Sequence, residues 1–498
     1  MSLRSNVRHH RVVRTLVYTH RWLGIGLGGL FLLWFASGIV MIYARMPELD
    51  PAERLARLAP ITFTAIRTAP GAVAADASRF TISTLDGRPV YRVTTGGAQQ
   101  TTFADTGAVL EPLTAGRALE IARTFAGPAA VRHDGRLEDA DQWTFSVRGQ
   151  MPLHRIAVAD PEGTRLYVAE RSGEVVMKTT ASGRRWGYLG AVVHWVYFTP
   201  LRRQSALWNN LIVWVSIAGT VLAVAGFAWG LWRLSPFERY RLKQAQSRTP
   251  YAGLMKWPHY AGLIFGATTI TWIFSGLLSM DPWAWSPSTA PTPAQRAAVS
   301  RGPLHPADVP LASLHRGLAA YGVATPKEID LIRFRGRHYL RASAGLVALD
   351  QPTQGPADLL HADDMIGAAR DAMPGVPIEG VYWMTAYDAY YYRRGGTLNL
   401  PVLRVRFGDP QQTWLYLDPR RGAIVRKEER LSRINRWLYH GLHSLDFPWL
   451  YNRRPLWDVV VIALSLGGIA LSATTMWGAY RRLRRGVRYW SASWRTPH

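Results

Sequence analysis

THRWLGIGLGGLFLLWFASG (residues 19–38) places Gly24, Gly26 and Gly29 in the spacing G-x-G-x-x-G. In a strand–turn–helix unit bathed in water, that spacing marks a dinucleotide-binding loop. The surroundings decide against it here. From Trp22 to Ala44 the chain runs 23 residues without a charge, enough to cross about 30 Å of hydrocarbon at about 1.5 Å per residue. The glycines therefore fall inside a membrane span, where small residues let a helix or a flat cofactor approach the backbone. His20 stands at the mouth of that span.

Three further uncharged runs match the first: Ser205 to Trp232, Trp257 to Met280 and Val459 to Tyr480. Four transmembrane helices are expected. The net charge of +25 is concentrated beside them. Residues 1–21 carry five Arg and no acid, the linker Arg233–Trp257 six Lys or Arg against one Glu, and the tail after Tyr480 six Arg and no acid. All three segments flank the spans on one side, so the positive-inside rule makes both termini cytoplasmic. The basic excess then serves topology and contact with anionic membrane lipid, and a nucleic-acid partner is excluded as its cause. Zero cysteines exclude disulfides, iron–sulfur clusters and covalent haem attachment. The first apolar run is too long for a signal-peptide core and reads as an uncleaved anchor.

The two halves repeat. MPLHRIAVADPEGTRLYVAERSGEVV (151–176) aligns with LPVLRVRFGDPQQTWLYLDPRRGAIV (400–425) at an offset of 249, which also carries His194 onto His443 and Trp208 onto Trp457. The opening spans align with a shift of about ten, pairing His20 with His259 and Ser37-Gly38 with Ser275-Gly276. The expected architecture is an α+β membrane protein. Four spans form a duplicated bundle with a pseudo-two-fold axis along the membrane normal, and two extracytoplasmic α+β domains are attached. The segments are a basic tail (1–16), span one (17–44), soluble domain one (45–187), an interfacial segment with His194 (188–204), span two (205–232) and a basic linker (233–256). Then come span three (257–280), soluble domain two (281–432), an interfacial segment with His440 and His443 (433–457), span four (458–480) and a basic tail (481–498). Within the soluble segments AGRALEIARTFAG (115–127) has helical spacing, whereas RPVYRVTT, HRIAVAD and TRLYVAE alternate as half-buried antiparallel strands do.

Of fourteen His, His20, His259, His194 and His443 alone pair across the repeat, and ionisable residues at a span are rare and usually functional. His20 and His259 open the first span of each half. His194 and His443 precede the second spans, at the opposite face. Two such pairs fit two non-covalent, bis-His haem b groups, one near each face. The bland alternative is hydrogen bonding to backbone or headgroups at helix ends. HGLH puts His440 on nearly the same helical face as His443, but its counterpart is Ala191, which favours His443. His154 maps onto Leu403 and reads as structural; His133 lacks ligand spacing. Zinc would want more ligands close together. Arg21, Arg202, Arg203, Arg453 and Arg454 are near the paired His in sequence and suit haem propionates or lipid phosphate.

The HRWLG and WPHYAG spans, the strand–Asp-Pro–strand–Gly patterns and LHSLDFP resemble the PepSY-associated transmembrane family, which includes di-haem inner-membrane ferric-siderophore reductases. The resemblance covers nearly the whole chain. It implies PepSY-type soluble folds and haem ligation by His20, His259, His194 and His443. It also implies a place in the bacterial inner membrane with periplasmic soluble domains, and a ferric siderophore as electron acceptor in iron uptake. Ala191 opposite His440 departs from it. The cytoplasmic segments are too short for a flavin or NAD domain, so electrons come from quinol or a separate donor protein. YWMTAYDAYYYRRGG (382–396) offers an acceptor surface through Trp383, Tyr387, Tyr391, Arg393 and Arg394, although an aromatic strand packed on its own sheet or touching the membrane interface is the simpler explanation. Two rivals stand beside this oxidoreductase reading. One is a haem-free PepSY regulatory or binding protein; the other, a transporter, lacks broken helices and midplane acids.

Overall fold

The computed structural model describes residues 3–235, 237, 240–242, 245–253, 256–352, 355–394 and 396–493. Parts of the basic linker 233–256 and the ends of both basic tails lie outside the described residues. The chain is α+β. It divides into a helical unit (Met1–Met46, Arg185–Ser286 and Ile434–His498) and a sheet unit (Pro47–Arg184 and Pro287–Arg433).

In the helical unit, four helices among the described residues are long and apolar enough to cross a membrane. Spans one to four lie in the helices Leu3–Tyr43, Ser205–Arg233, Lys256–Leu278 and Leu456–Ser493. Span one packs on spans two and four, and span three packs on the same two. In hydrocarbon no hydrophobic force holds helices together, so close packing must. Aromatic rings seated on glycine backbone supply it here. A Cβ added at Gly468 would lie 2.5 Å from the Phe35 ring, and one at Gly467 would lie 2.3 Å from Phe265. Gly266 takes Phe227 in the same way, and Gly219 takes Phe31. Phe31, Phe35, Leu222, Trp272, Ile273 and Trp457 form the buried centre of this packing. The glycines of the opening G-x-G-x-x-G are not among these seats. A Cβ added at Gly24 or Gly29 would be at ordinary contact distance from Thr475 or Met476 of span four, and one at Gly26 would meet no described side chain of another helix within 4 Å.

The sheet unit repeats one order of elements. Its strands are β1 (Arg79–Leu85), β2 (Arg88–Thr95), β3 (Ala98–Phe103), β4 (Val131–Leu137), β5 (Leu153–Val158), β6 (Arg165–Ala169) and β7 (Val175–Thr179). The second loop gives β8 (Ile329–Phe334), β9 (Arg337–Ala342), β10 (Gly345–Ala348), β11 (Ile378–Met384), β12 (Val402–Phe407), β13 (Trp414–Asp418) and β14 (Ala423–Glu428). RPVYRVTT is a strand residue for residue, and AGRALEIARTFA is a helix with Thr114 capping its start and Gly127 (φ 73°) ending it. That helix packs on β4–β7, and Ala362–Ala372 packs on β11–β14.

The sheet order is where sequence reading fell short. Strands β4-β5-β6-β7 and β11-β12-β13-β14 form separate antiparallel sheets, but the three-stranded meanders of the two loops merge into one sheet, β10-β9-β8-β1-β2-β3. The seam is the antiparallel pair β1–β8, with Thr81 opposite Asp330. These two residues are themselves 249 apart, the same offset at which the two halves of the sequence align. There the Thr81 hydroxyl donates to the buried Asp330 carboxylate at 2.8 Å, a charge-assisted bond of the kind worth about 1.5–3 kcal/mol. Phe80, Ile82, Tyr91, Ile329, Leu331 and Leu340 build an apolar core on one face of this sheet.

Candidate functional site

The segments just before spans two and four have one unusual geometry. Each contains a π-helical turn, Tyr188–Val192 in one and Arg436–Gly441 in the other. Such wide turns are rare and concentrate at functional sites. A histidine comes two residues after each turn, His194 in the first segment and His443 in the second. An extra residue per turn re-aims the side chains beyond it, and both imidazoles come to rest in the helical unit beside a span.

His194 sits at Trp34-x-x-Ser37-Gly38 of span one. Its Nδ1 is 3.2 Å from the Trp34 carbonyl oxygen and 3.1 Å from the Ser37 hydroxyl. His443 repeats this on Trp272-x-x-Ser275-Gly276 of span three, at 3.1 Å from the Trp272 carbonyl and 3.1 Å from the Ser275 hydroxyl. Each serine hydroxyl donates back to a carbonyl of its own helix, the usual way a span satisfies a hydroxyl. Both rings lie on glycine: a Cβ at Gly38 or Gly276 would be 3.6 or 3.4 Å from the His194 or His443 Cε1. A carbonyl only accepts, so each Nδ1 carries the proton and Nε2 holds the lone pair. That is the tautomer of a metal-ligating imidazole whose other nitrogen is fixed by an outer partner. The segments are tied down alike. Trp208 Nε1 donates to the Trp195 carbonyl and Trp457 Nε1 to the Ser444 carbonyl, both at 3.0 Å.

The two rings meet. Their centroids are 6.0 Å apart and their planes 69° from parallel. Two imidazoles on one metal ion, at about 2.0–2.1 Å per metal–nitrogen bond, place their centroids about 6 Å apart. The donor set therefore fits a bis-His iron.

His20 and His259 are not matched in this way. Both lie against span two, at backbone carbonyls eight residues apart: His20 Nδ1 at Leu222 (3.2 Å) and His259 Nε2 at Gly230 (2.9 Å). The His259 Nδ1 is buried with no hydrogen-bond partner among the described residues, which leaves it the nitrogen available to a ligand. His20 is seated on Gly226, where an added Cβ would come within 2.3 Å of the ring. Along span one, His20 and Ser37 are separated by roughly 25 Å at about 1.5 Å per residue.

No family model, curated relative or solved structure matches this chain. The functional reading therefore rests on the site's own chemistry. His440 is on the second π-helical turn, its ring 4.3 Å from that of Tyr439; its counterpart Ala191 is buried. Arg21 is exposed, its guanidinium 5.4 Å above the Tyr18 ring. Arg202 stacks on Trp208 and Arg454 on Trp457, so each braces the Trp that holds a histidine segment. His154 is buried, with Nε2 donating to the Leu113 carbonyl and Nδ1 3.1 Å from His133, as befits a structural pair. In the segment 382–396, Trp383 and Tyr387 are exposed, and so is Arg393. Tyr391 is buried and stacked on Tyr416 at 5.3 Å, and Arg394 is half-buried. Tyr391, in the loop after β11, is thus packed on the sheet, and Trp383, Tyr387 and Arg393 are surface. Sequence reading missed the serine–carbonyl cradles. The recurrence W-x-x-S-G at 34–38 and 272–276 was the signal that would have found them.

Proposed function

We propose that this chain is a duplicated inner-membrane protein that binds two haem b groups and passes electrons across the bilayer to a ferric chelate. The observation that carries the proposal is the His194–His443 pair: equivalent residues of two repeats, 6.0 Å apart, each held as the Nδ1–H tautomer by a backbone carbonyl. His194 and His443 would hold the outer haem, and His20 and His259 the inner one. When bound, a bis-His haem iron supplies one-electron chemistry by cycling between the ferric and ferrous states. Ser37 and Ser275 orient the outer ligands, and the Trp208 and Trp457 indoles fix the turns that deliver them. Held by two His, each haem would serve electron transfer rather than oxygen binding. The basic linker and tails put the sheet unit outside the cytoplasm. Electrons then enter from quinol or a donor protein, and a ferric siderophore takes one and releases Fe(II). The PepSY assignment of the sheet unit belongs to the same reading.

The test is a dithionite-reduced minus oxidised visible spectrum of the detergent-purified chain, with haem quantified per polypeptide. A sharp b-type α-band at two haems per chain is expected. A colourless protein from haem-replete cells would leave a regulatory or binding role as the better account.

Gly226 gives a second check, on the inner site. Gly226→Ala is expected to drive the His20 ring off its seat and cut haem to about one per chain. Gly230→Ala, whose Cβ would meet only Leu263 at 3.4 Å, should keep both haems. Equal haem content in the two variants would remove His20 from the ligand set.

A further inference from the structure

Strand residues alternate between faces, so the face of the six-stranded sheet opposite its core carries Arg79, Thr81, Arg92 and Thr94 in the first half. Positions 249 later are Glu328, Asp330, Arg341 and Ser343. Each quartet lines a cavity of its own, of about 450 Å³ for the first and about 320 Å³ for the second. The two cavities are built on equivalent positions but not on equivalent chemistry.

In the smaller cavity Arg341 bonds directly to Asp330, and its charge is answered. In the larger one the position of Asp330 is taken by Thr81, and Arg92 instead donates through Nη1 to the Ser83 hydroxyl and shares the Glu174 carboxylate. Arg92 is 4 % exposed, and its Nε has no hydrogen-bond partner among the described residues. The nearest acid is Glu174 at 3.5 Å, a carboxylate also used by Arg54 at 3.4 Å and Gln99 at 3.2 Å. Burial pushes the Arg92 guanidinium below its ordinary pKa, and the Glu174 charge offsets this only in part. Arg79 stands at the rim, its side chain 64 % exposed and paired only loosely, at 3.6 Å, with Asp330 across the seam. Opposite in character, Gln150 lines the same cavity with its Oε1 buried and lacking a donor among the described residues. A buried polar group left unmatched is costly, and such groups are few in folded proteins.

The wall thus holds three guanidiniums, those of Arg54, Arg79 and Arg92, against two carboxylates, those of Glu174 and Glu328, and an amide oxygen short of a donor. We infer that the 450 Å³ cavity binds a small α-amino or α-hydroxy carboxylate, its carboxylate at Arg92 and Arg79 and its amine or hydroxyl at Gln150. Phosphate and other compact polyanions are disfavoured because Glu174 and Glu328 line the same wall. The inference stands apart from haem binding, since every residue it uses belongs to the sheet unit.

Calorimetric titration of the full chain in detergent at low ionic strength tests it. L-Alanine and L-lactate are the probes, and propionate is the matched control for both, lacking the α-donor. One saturable site per chain is expected for at least one probe, at least tenfold tighter than its control. Whichever probe prevails tells amine from hydroxyl. Arg79→Ala and Gln150→Leu, at exposed and half-buried positions, should fold and should each weaken binding about tenfold; Arg92→Met should abolish it. The inference is overturned if neither probe saturates, if inorganic phosphate binds and neither probe does, or if Arg79→Ala and Gln150→Leu bind like the parent.

Discussion

His194→Ala and His443→Ala are each expected to take the purified protein from two haems per chain to one, halving the reduced-minus-oxidised α-band. His440→Ala is expected to leave both in place. The asymmetry comes from the cradles. His443 and His194 are presented by matched serines, carbonyls and glycines, so removing either ring removes half of one bis-His set. A five-coordinate haem left behind in a site shaped for two imidazoles should be lost on purification. No matched cradle repeats at His440: Ala191 fills its place in the other half, and its carbonyl is occupied by the Ser444 hydroxyl at 3.0 Å. Loss of haem in His440→Ala with retention in His443→Ala would reassign the outer ligand. Two haems in all three variants would remove the outer site altogether.

The spans were legible because a bilayer imposes a blunt rule: 20 or so residues without a charge have few other places to go. The pairing of His194 with His443 was legible because the offset of 249 joins them. What the pattern could not convey was anything set by tertiary approach. β1 and β8 each alternate as half-buried strands do, and nothing local in Thr81 or Asp330 announces that they face one another across the seam. The opening glycines drew attention by their spacing, yet the positions that seat phenylalanine rings and His20 are Gly219, Gly226, Gly266, Gly467 and Gly468, on the partner helices. Whether a glycine is a seat depends on the ring across from it, which its own helix does not encode. The inner pair shows the same limit. His20 and His259 align in sequence, but they meet span two through different ring nitrogens.

Repeat logic also hides what occurs once. Arg436 and Asp446 correspond to Gly187 and Tyr197 in the first half, so comparing the halves passes over them. In the structure their side chains are each 2 % exposed and 3.5 Å apart, on either side of His443 in sequence, and the Asp446 N–H donates to the His440 carbonyl at 3.3 Å. Removing one member of a buried ion pair leaves the other charge in a dry site, at about 3–5 kcal/mol. Against total stabilities of about 5–15 kcal/mol, Asp446→Ala is expected to be among the most damaging single changes outside the ligands. Denaturant unfolding in detergent, monitored by tryptophan fluorescence, measures it. The double variant Arg436→Met/Asp446→Leu keeps volume and removes both charges, and is expected to recover most of the loss. If Asp446→Ala unfolds at the parent's midpoint, the pair is not a buried ion pair in the working protein. If the double variant regains stability but still loses the outer haem, the pair's task is to hold the His440–His443 turn against span three, and its stability contribution is secondary.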